Sequence, residues 1–285
     1  MAVKHIAILG TGNIGTDLLI KVLRSNNLKC EAFVGRNLQS NGLLKASSFG
    51  VNVSDRGIEY LVDIQDRYEY VFDATSAKSH YEHSKIFSNL GKKVIDLTPA
   101  KIGPMCVPCI DISDVNKFGN VNMITCGGQA SLPIAHAIYK SRQKIDYIEV
   151  VSNIASRSAG PATRQNLDEY IKTTEEALKF FTHANKVKAI LNLNPSEPAI
   201  HMQTTIMAKM LEPDLALIKK DIKIMETKIR EYVPGYELIV GPLLDNGRIF
   251  VTVRVKGLGD YLPSYAGNLD ILNCAAVAVV EKMDN

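Results

Sequence analysis

Apolar positions along this chain change their organisation part-way, and the change divides it. Up to about residue 140, short apolar runs alternate with segments whose apolar side chains recur at helical spacing. "KHIAILG" predicts a buried strand over residues 4–9, and residues 14–24 carry the helical repeat. "CEAFVGR" (30–36) predicts a second strand. "LVDIQDRYEYVFDATSA" ends in a strand at 70–74, and "GKKVIDLTPA" predicts another at 92–97. A further short strand is expected to end at Thr125, with a helix-like pattern after it. Strands alternating with helices imply a parallel sheet with right-handed crossovers.

Beyond residue 140 the strands cluster. "IDYIEVVSNIAS", "KAILNLN", "AIHMQTTIM", "YELIVGPLL" and "RIFVTVRVKG" predict strands, interrupted by two long amphipathic segments at 164–182 and 213–232. That order implies an α+β unit with a mainly antiparallel sheet. "LDILNCAAVAVVEKM" predicts a final helix that returns to the first unit. The fold class is therefore α/β, a parallel-sheet domain plus an α+β domain. The expected division is 1–130 with 266–285 for the first and 131–265 for the second. No internal repeat or low-complexity linker interrupts the pattern.

Composition narrows the setting. A chain of 285 residues with 46% apolar and 22% charged side chains builds a sizeable core and is not disordered. A net charge of +3, spread without a basic run, does not favour nucleic acid. The apolar runs fall short of the roughly 18 residues of a membrane span. The start of the chain enters a strand without a signal-peptide layout. The five cysteines, Cys30, Cys106, Cys109, Cys126 and Cys274, are odd in number and irregularly spaced. Reduced thiols in the cytoplasm are the expectation. "CVPC" at 106–109 has no second pair and no His at metal-ligand spacing, so no metal site is expected.

Three stretches carry candidate chemistry. Gly10, Gly12 and Gly15 follow the first strand and open a helix, the context in which GxGxxG cradles a dinucleotide pyrophosphate. The other reading is a structural turn. The second strand is followed by Arg36 and Asn37, with no Asp or Glu to hold a ribose 2′-hydroxyl. Arg36 would instead attract a 2′-phosphate, which leans the cofactor from NAD toward NADP, unless Arg36 is a solvated surface residue. In "NMITCGGQASLPIAHA", Cys126 stands at a strand-to-helix junction followed by two glycines. There the helix dipole and free N–H groups are expected to lower its pKa, and Gly127 and Gly128 to leave the backbone uncovered. A nucleophilic thiol beside a nicotinamide suits oxidation of an aldehyde through an enzyme thioester. Most free cysteines are instead small buried hydrophobes, a description that fits Cys30 and Cys274 better than Cys126. Asp73 to Ser76 are expected to line the same cleft, or to cap a strand end.

The blocks "GTGNIGTDLLIKVLR", "FDATSA", "IDLTPAKIGPMCVP", "NMITCGGQA", "SRSAGPATRQNLDEY", "NPSEP", "YVPGYEL" and "YLPSYAGNLDI" run in order over nearly the whole chain. Together they resemble the acylating acetaldehyde dehydrogenases that partner 4-hydroxy-2-oxovalerate aldolases in aromatic-compound degradation. The resemblance implies a Rossmann domain plus an α+β domain for catalysis and dimerisation. It implies conversion of an aldehyde, CoA and NAD+ to acyl-CoA and NADH, with homodimer contacts and an aldolase partner. Cys126 matches the acyl-thioester nucleophile. Thr11, Gly12, Asn13 and Ile14 match the cofactor phosphate loop. Ser158, Ala159, Gly160, Pro161, Ala162, Thr163, Arg164, Gln165 and Asn166 match a second cofactor-binding segment, and Asn268 a nicotinamide-side contact. Read on its own, 158–166 is also a helix-entry loop.

The chain departs from that pattern in three places. Where the family has an Asp proposed as catalytic base, this chain has Thr204, which cannot act as a base near neutral pH. His201, three positions earlier, would face the other side of a strand. The acid at the second strand is missing. The stretch between "YVPGYEL" and "YLPSYAGN" is shorter than usual and reads as a plain hairpin with a "DNG" turn. Two further readings follow from these departures. One is a relative acting on a different acyl donor or releasing the acyl group to water. The other is a cofactor-binding partner subunit of an aldolase.

Overall fold

The structure is a computed structural model that describes residues 2–112, 115–141, 144–160, 163–164 and 166–283. The first half of the chain builds a six-stranded parallel sheet from β1 (Lys4–Leu9), β2 (Leu28–Val34), β3 (Val53–Ser54), β4 (Tyr70–Asp73), β5 (Lys93–Asp96) and β6 (Asn120–Asn122). The strand order is β3-β2-β1-β4-β5-β6. The direction of strand addition reverses between β1 and β4, which opens a crevice at their C-terminal ends. Helices α1 (Asn13–Arg24), α2 (Asn41–Ser48), α3 (Ile58–Asp63) and α4 (Ala77–Asn89) make the crossovers.

Helix α5 (Cys126–Lys140) leads into a second, five-stranded sheet. Its strands are β7 (Ile145–Ala155), β8 (Lys186–Asn194), β9 (Met202–Met210), β10 (Tyr236–Asp245) and β11 (Arg248–Val255), in the order β10-β11-β9-β7-β8. Three of its pairings are antiparallel, and β7–β8 is parallel. Helices α6 (Leu167–Thr182) and α7 (Leu215–Arg230) pack with α5 on one face of this sheet, where Ile148, Ile206, Val251, Leu178, Ile222 and Ile138 share one core. Helix α8 (Gly267–Lys282) returns to the parallel sheet, where Leu272, Ala276 and Val279 join the core of Ile6, Leu18 and Phe33. The expected fold class is the observed one.

Local chemistry explains where the observed elements differ from the sequence reading. The second strand ends at Val34, not at residue 36: Gly35 makes the last bond to β3, its N–H to the Ser54 carbonyl, and Arg36 beyond it is exposed. The strand expected to run to Thr125 stops at Asn122, whose side chain takes the N–H of Ile124 at 2.7 Å. Ile124 itself has φ +66°, a strained value for a β-branched residue that turns the chain sharply toward α5. The "DNG" hairpin is as read. Asn246 and Gly247 both have positive φ, the two-residue turn whose twist matches paired strands. Among the described residues, no helix is long and apolar enough to cross a membrane.

Candidate active site

Two neighbouring clefts lie at the C-terminal ends of β1 and β4. The first, of about 640 Å³, is bordered by Gly10, Thr11 and Gly12 after β1, Gly35 and Arg36 after β2, Asp55 and Arg56 after β3, and Ala74 to Ser76 after β4. Glycine is required in the turn. Gly10 has φ +111° and lies against Ala74, and a Cβ on Gly15 would stand 1.8 Å from the Gly10 carbonyl oxygen. Gly12, by contrast, faces open space, so the N-terminus of α1 opens into the cleft as a pyrophosphate site requires. Asp55 was not read from the sequence as part of this cleft. The short strand β3 delivers a carboxylate to the rim that the second strand lacks.

The loop between the two clefts is anchored by Asp73. This fully buried carboxylate accepts the Thr75 N–H at 3.1 Å and faces ring nitrogens of His80 and His83, each at 2.8 Å. Burial works against its ionisation, but the two imidazoles outweigh burial and hold the carboxyl well below the usual range. Thr75 and Ser76 therefore line both clefts, while Asp73 is the strand-end anchor behind them.

The second cleft, of about 90 Å³, contains Cys126, the first residue of α5. Thr125 caps that helix by accepting the Gly128 N–H at 2.9 Å. Ile14, Thr98, Thr163, Asn166, Tyr170 and Asn268 also line the cleft. The expectation of an uncovered, acidified thiol is corrected here. Cys126, Gly127 and Gly128 are all buried. Burial pushes the Cys126 thiol up from its ordinary value, against smaller opposing effects from the Tyr170 hydroxyl and the N–H groups of Gly127 and Cys126. Without a bound partner, alkylation of Cys126 by iodoacetamide is therefore expected to be slow at neutral pH. It should climb only through and beyond the ordinary thiol range of about 8.5. Peptide-resolved labelling against pH checks this, and a rate already saturated at neutral pH would contradict it.

Behind the thiol lies a set of hydroxyls that sequence reading missed. Tyr170 on α6 places its OH 3.7 Å from Cys126 Sγ. Ser152 on β7 and Thr204 on β9 are register partners with their oxygens 3.0 Å apart. Thr204 is fully buried with its hydroxyl on Ser152, so it joins this hydroxyl set without lining the cleft. His201 instead bonds the Ser264 carbonyl at 3.1 Å, a packing role. A signal for Tyr170 existed. It lies on a stripe with Thr173, Thr174, Ala177, Leu178 and Phe181 at core-facing helical spacing, where a phenol needs a polar partner.

The remaining residues singled out from the sequence divide by place. Asn268 is buried, lies across the cleft from α5, and donates to the Ser158 carbonyl at 3.4 Å. Its side-chain oxygen is buried without a partner, as suits a group awaiting an amide donor. Ile14, Thr163 and Asn166 reach the thiol cleft, whereas Asn13 is exposed. Ser158 and Ala159 are buried and Gly160 is half-buried. Arg164 turns back to bond the carbonyls of Ala159 and Ser156 at 3.0 and 2.8 Å, so it braces the loop. Pro161, Ala162 and Gln165 lie outside the described residues.

Comparison with known proteins places this geometry. Over 98% of its length the chain is 57% identical to an acetaldehyde dehydrogenase of Spirochaeta aurantia, of which it covers 94%. The chain belongs to the acetaldehyde dehydrogenase family. Its residues 126–263 match the dimerisation domain of prokaryotic acetaldehyde dehydrogenases. Acetaldehyde dehydrogenases of Pectobacterium atrosepticum and Geobacillus thermodenitrificans are 54% and 46% identical, each over 99% of this chain and 96% of the relative. A solved aspartate semialdehyde dehydrogenase II of Vibrio cholerae shares the fold, with a TM-score of 0.62 at 16% identity over 98% of this chain and 97% of that one. The enzyme is thus an oxidoreductase of the aldehyde dehydrogenase kind, on a fold that joins a dinucleotide-type sheet to a second, mixed sheet.

Proposed function

We propose that this enzyme converts a short-chain aldehyde, CoA and NAD(P)+ to acyl-CoA, NAD(P)H and a proton, reversibly, through a thioester on Cys126. The observation that carries the reading is the placement of Cys126 at the start of α5, in a cleft that shares Thr75 and Ser76 as lining with the glycine-lined one. The open N-terminus of α1 and the unpartnered Asn268 oxygen fit a dinucleotide whose nicotinamide end reaches the thiol cleft. When bound, that cofactor accepts the hydride. The rest falls to the chain. Cys126 Sγ bonds to the aldehyde carbon and holds the acyl group after oxidation. The small apolar walls of Ile14, Leu97, Ile124 and Leu272 exclude water until CoA takes the acyl group.

On this reading residues 1–130 with 266–285 bind the cofactor, and 131–265 supply the catalytic backing and the dimer contact. The face of the mixed sheet turned away from α5, α6 and α7 fits a homodimer contact. It presents the half-buried side chains of Val151, Ile190, Met207 and Phe250 on neighbouring strands. Acetaldehyde is the proposed substrate, as it is for the named relatives, and a 4-hydroxy-2-oxovalerate-type aldolase is the proposed source of it in the cytoplasm.

The test is formation of reduced nicotinamide from acetaldehyde, with and without CoA, with NAD+ and NADP+ in parallel. CoA-dependent reduction is the expected result. CoA-independent release of acetate would favour the hydrolytic alternative. Arg36 is exposed on the rim of the cofactor cleft, with Asp55 and Arg56 lining the same rim. If Arg36 holds a 2′-phosphate, Arg36→Ala lowers kcat/KM with NADP+ relative to NAD+ by about tenfold or more, the worth of one charge-assisted bond. An unchanged ratio would make Arg36 a solvated surface residue.

A further inference from the structure

We infer that Tyr170 is a catalytic residue of this enzyme, the hydrogen-bond donor that receives the charge on Cys126 Sγ whenever that sulfur is a thiolate. The inference rests on the proposed thioester reading and concerns the part of it that Thr204 leaves open.

Three observations point to the phenol. First, among the described residues that line the thiol cleft, Cys126 and Tyr170 are the ionisable ones. Among those described residues no acid, imidazole, ammonium or guanidinium lines it. From the described lining, a negative sulfur there is met by neutral donors. Second, the backbone makes room for this hydroxyl. A Cβ on Gly127 would lie 2.1 Å from the Tyr170 oxygen and 3.1 Å from Ser152 Oγ, so the glycine after the nucleophile is the space the phenol fills. Third, the phenol is held in place. Thr174 donates to the Tyr170 carbonyl at 2.8 Å and pairs with Thr125, the cap of α5, at 2.8 Å. Helix α6 thereby fixes Tyr170 against the helix that carries the nucleophile.

The chemistry is a switch of hydrogen-bond partner, with no proton transferred from the phenol. Burial raises the Tyr170 pKa well above the ordinary phenol value, so its oxygen keeps its proton. While Cys126 is a thiol, its S–H donates to the Tyr170 oxygen, and the Ser152 hydroxyl, itself paired with Thr204, lies within reach of the phenol. When CoA, as its thiolate, adds to the acyl carbon and the bond to Sγ breaks, the bonding pair goes to Sγ. Tyr170 then donates to that charge. The same bond supports the thiolate that first adds to the aldehyde. Such a donor to an ionised partner is roughly twice as strong as a neutral hydrogen bond. The Ser152–Thr204 pair acts through Tyr170, as a positioning pair.

Tyr170→Phe removes one oxygen and keeps the ring. Cofactor binding and thermal midpoint establish that the variant is folded. The primary readout is the pH profile of Cys126 alkylation by iodoacetamide, followed on the Cys126 peptide, which requires neither aldehyde nor CoA. The expected result is a profile displaced to higher pH, with the rate at fixed pH below the midpoint reduced about tenfold. CoA-dependent kcat should fall by about 10- to 100-fold with little change in the KM for cofactor. An alkylation profile identical to that of the wild type overturns the inference. If Tyr170→Phe does not fold, Gly127→Ala displaces the same hydroxyl and must show the same displaced profile. An unchanged profile there is equally fatal. If the wild type lacks CoA-dependent activity but Tyr170→Phe shifts the profile, the thioester reading fails while the Tyr170–Cys126 coupling stands. If activity is present and the profile does not move, the reverse holds.

Discussion

Cys126→Ala is expected to abolish CoA-dependent reduction of NAD(P)+ by acetaldehyde, with a loss of at least about 10³-fold, while cofactor binding persists. The size follows from the role. A general acid or base contributes a graded factor, but a nucleophile that carries the acyl group has no substitute in its cleft. Among the described residues lining that cleft, Tyr170 is the other ionisable group, and it lacks an unhindered path to become a nucleophile at neutral pH because burial holds its proton. Cofactor binding should survive because Gly10, Gly12 and Arg36 border a separate part of the crevice. Alanine also fits sterically, since position 126 is the first residue of a helix already capped by Thr125. Rates of reduced-nicotinamide formation, beside a direct cofactor titration, check both halves. Residual activity within about tenfold of the wild type would remove Cys126 from the chemistry, and loss of cofactor binding would show a folding defect instead.

Lys21→Met is expected to destabilise the protein by about 3–5 kcal/mol at neutral pH. Lys21 on α1 is 5% exposed and lies among three carboxylates: Asp17 at 2.7 Å, Asp260 at 3.0 Å and Asp270 at 2.8 Å. Arg24 also pairs with Asp260. Burial alone would discharge the ammonium, yet Asp270 and Asp17 outweigh it and hold Lys21 well above the usual lysine range. The cluster joins α1 to the segment that leads into α8. Asp17 also accepts from Asn273 on α8 at 2.8 Å. Methionine keeps the stem but leaves three buried carboxylates facing one another. Burial already lifts the Asp270 carboxyl above its ordinary value against the pull of Lys21, and removing that ammonium lifts it further. The cost is therefore full above the raised folded value of Asp270, shrinks as pH falls through it, and is gone below the unfolded carboxylate range. Denaturant melts at neutral pH and at about pH 5 should show the deficit narrowing on acidification. A loss below about 1 kcal/mol at neutral pH would mean that the cluster tolerates an apolar centre.

Much of the candidate site was legible in residue order. GxGxxG after an apolar run, and a cysteine after a strand and before a helical repeat, are patterns of neighbours, and neighbours decide local torsion angles. The positions of Gly10, Gly15, Cys126 and the "DNG" hairpin follow from such local rules. Arg36 lines the same cleft as the glycine turn, as its position after the second strand implies, but Asp55 reaches that rim from a two-residue strand too short to show a period. Tyr170 stood inside a quoted motif, yet its role was hidden. The separation of 44 positions from Cys126 is closed only when α6 packs beside α5.

Sequence by itself determined the alternation of the longer strands and helices, the division into a parallel sheet and a mainly antiparallel one, the glycine turn after β1 and the cysteine that opens α5. Tertiary structure alone decided the state of that sulfur. A helix N-terminus favours a thiolate, but packing buries Cys126 and reverses the balance. Tertiary structure also placed Thr204 opposite Ser152 through strand register, and collected Asp17, Asp260 and Asp270 around Lys21. The physical reason is common to all three. Torsional preference and hydrophobic period act between near neighbours, whereas a group's charge depends on how much water is removed and on which distant dipoles replace it.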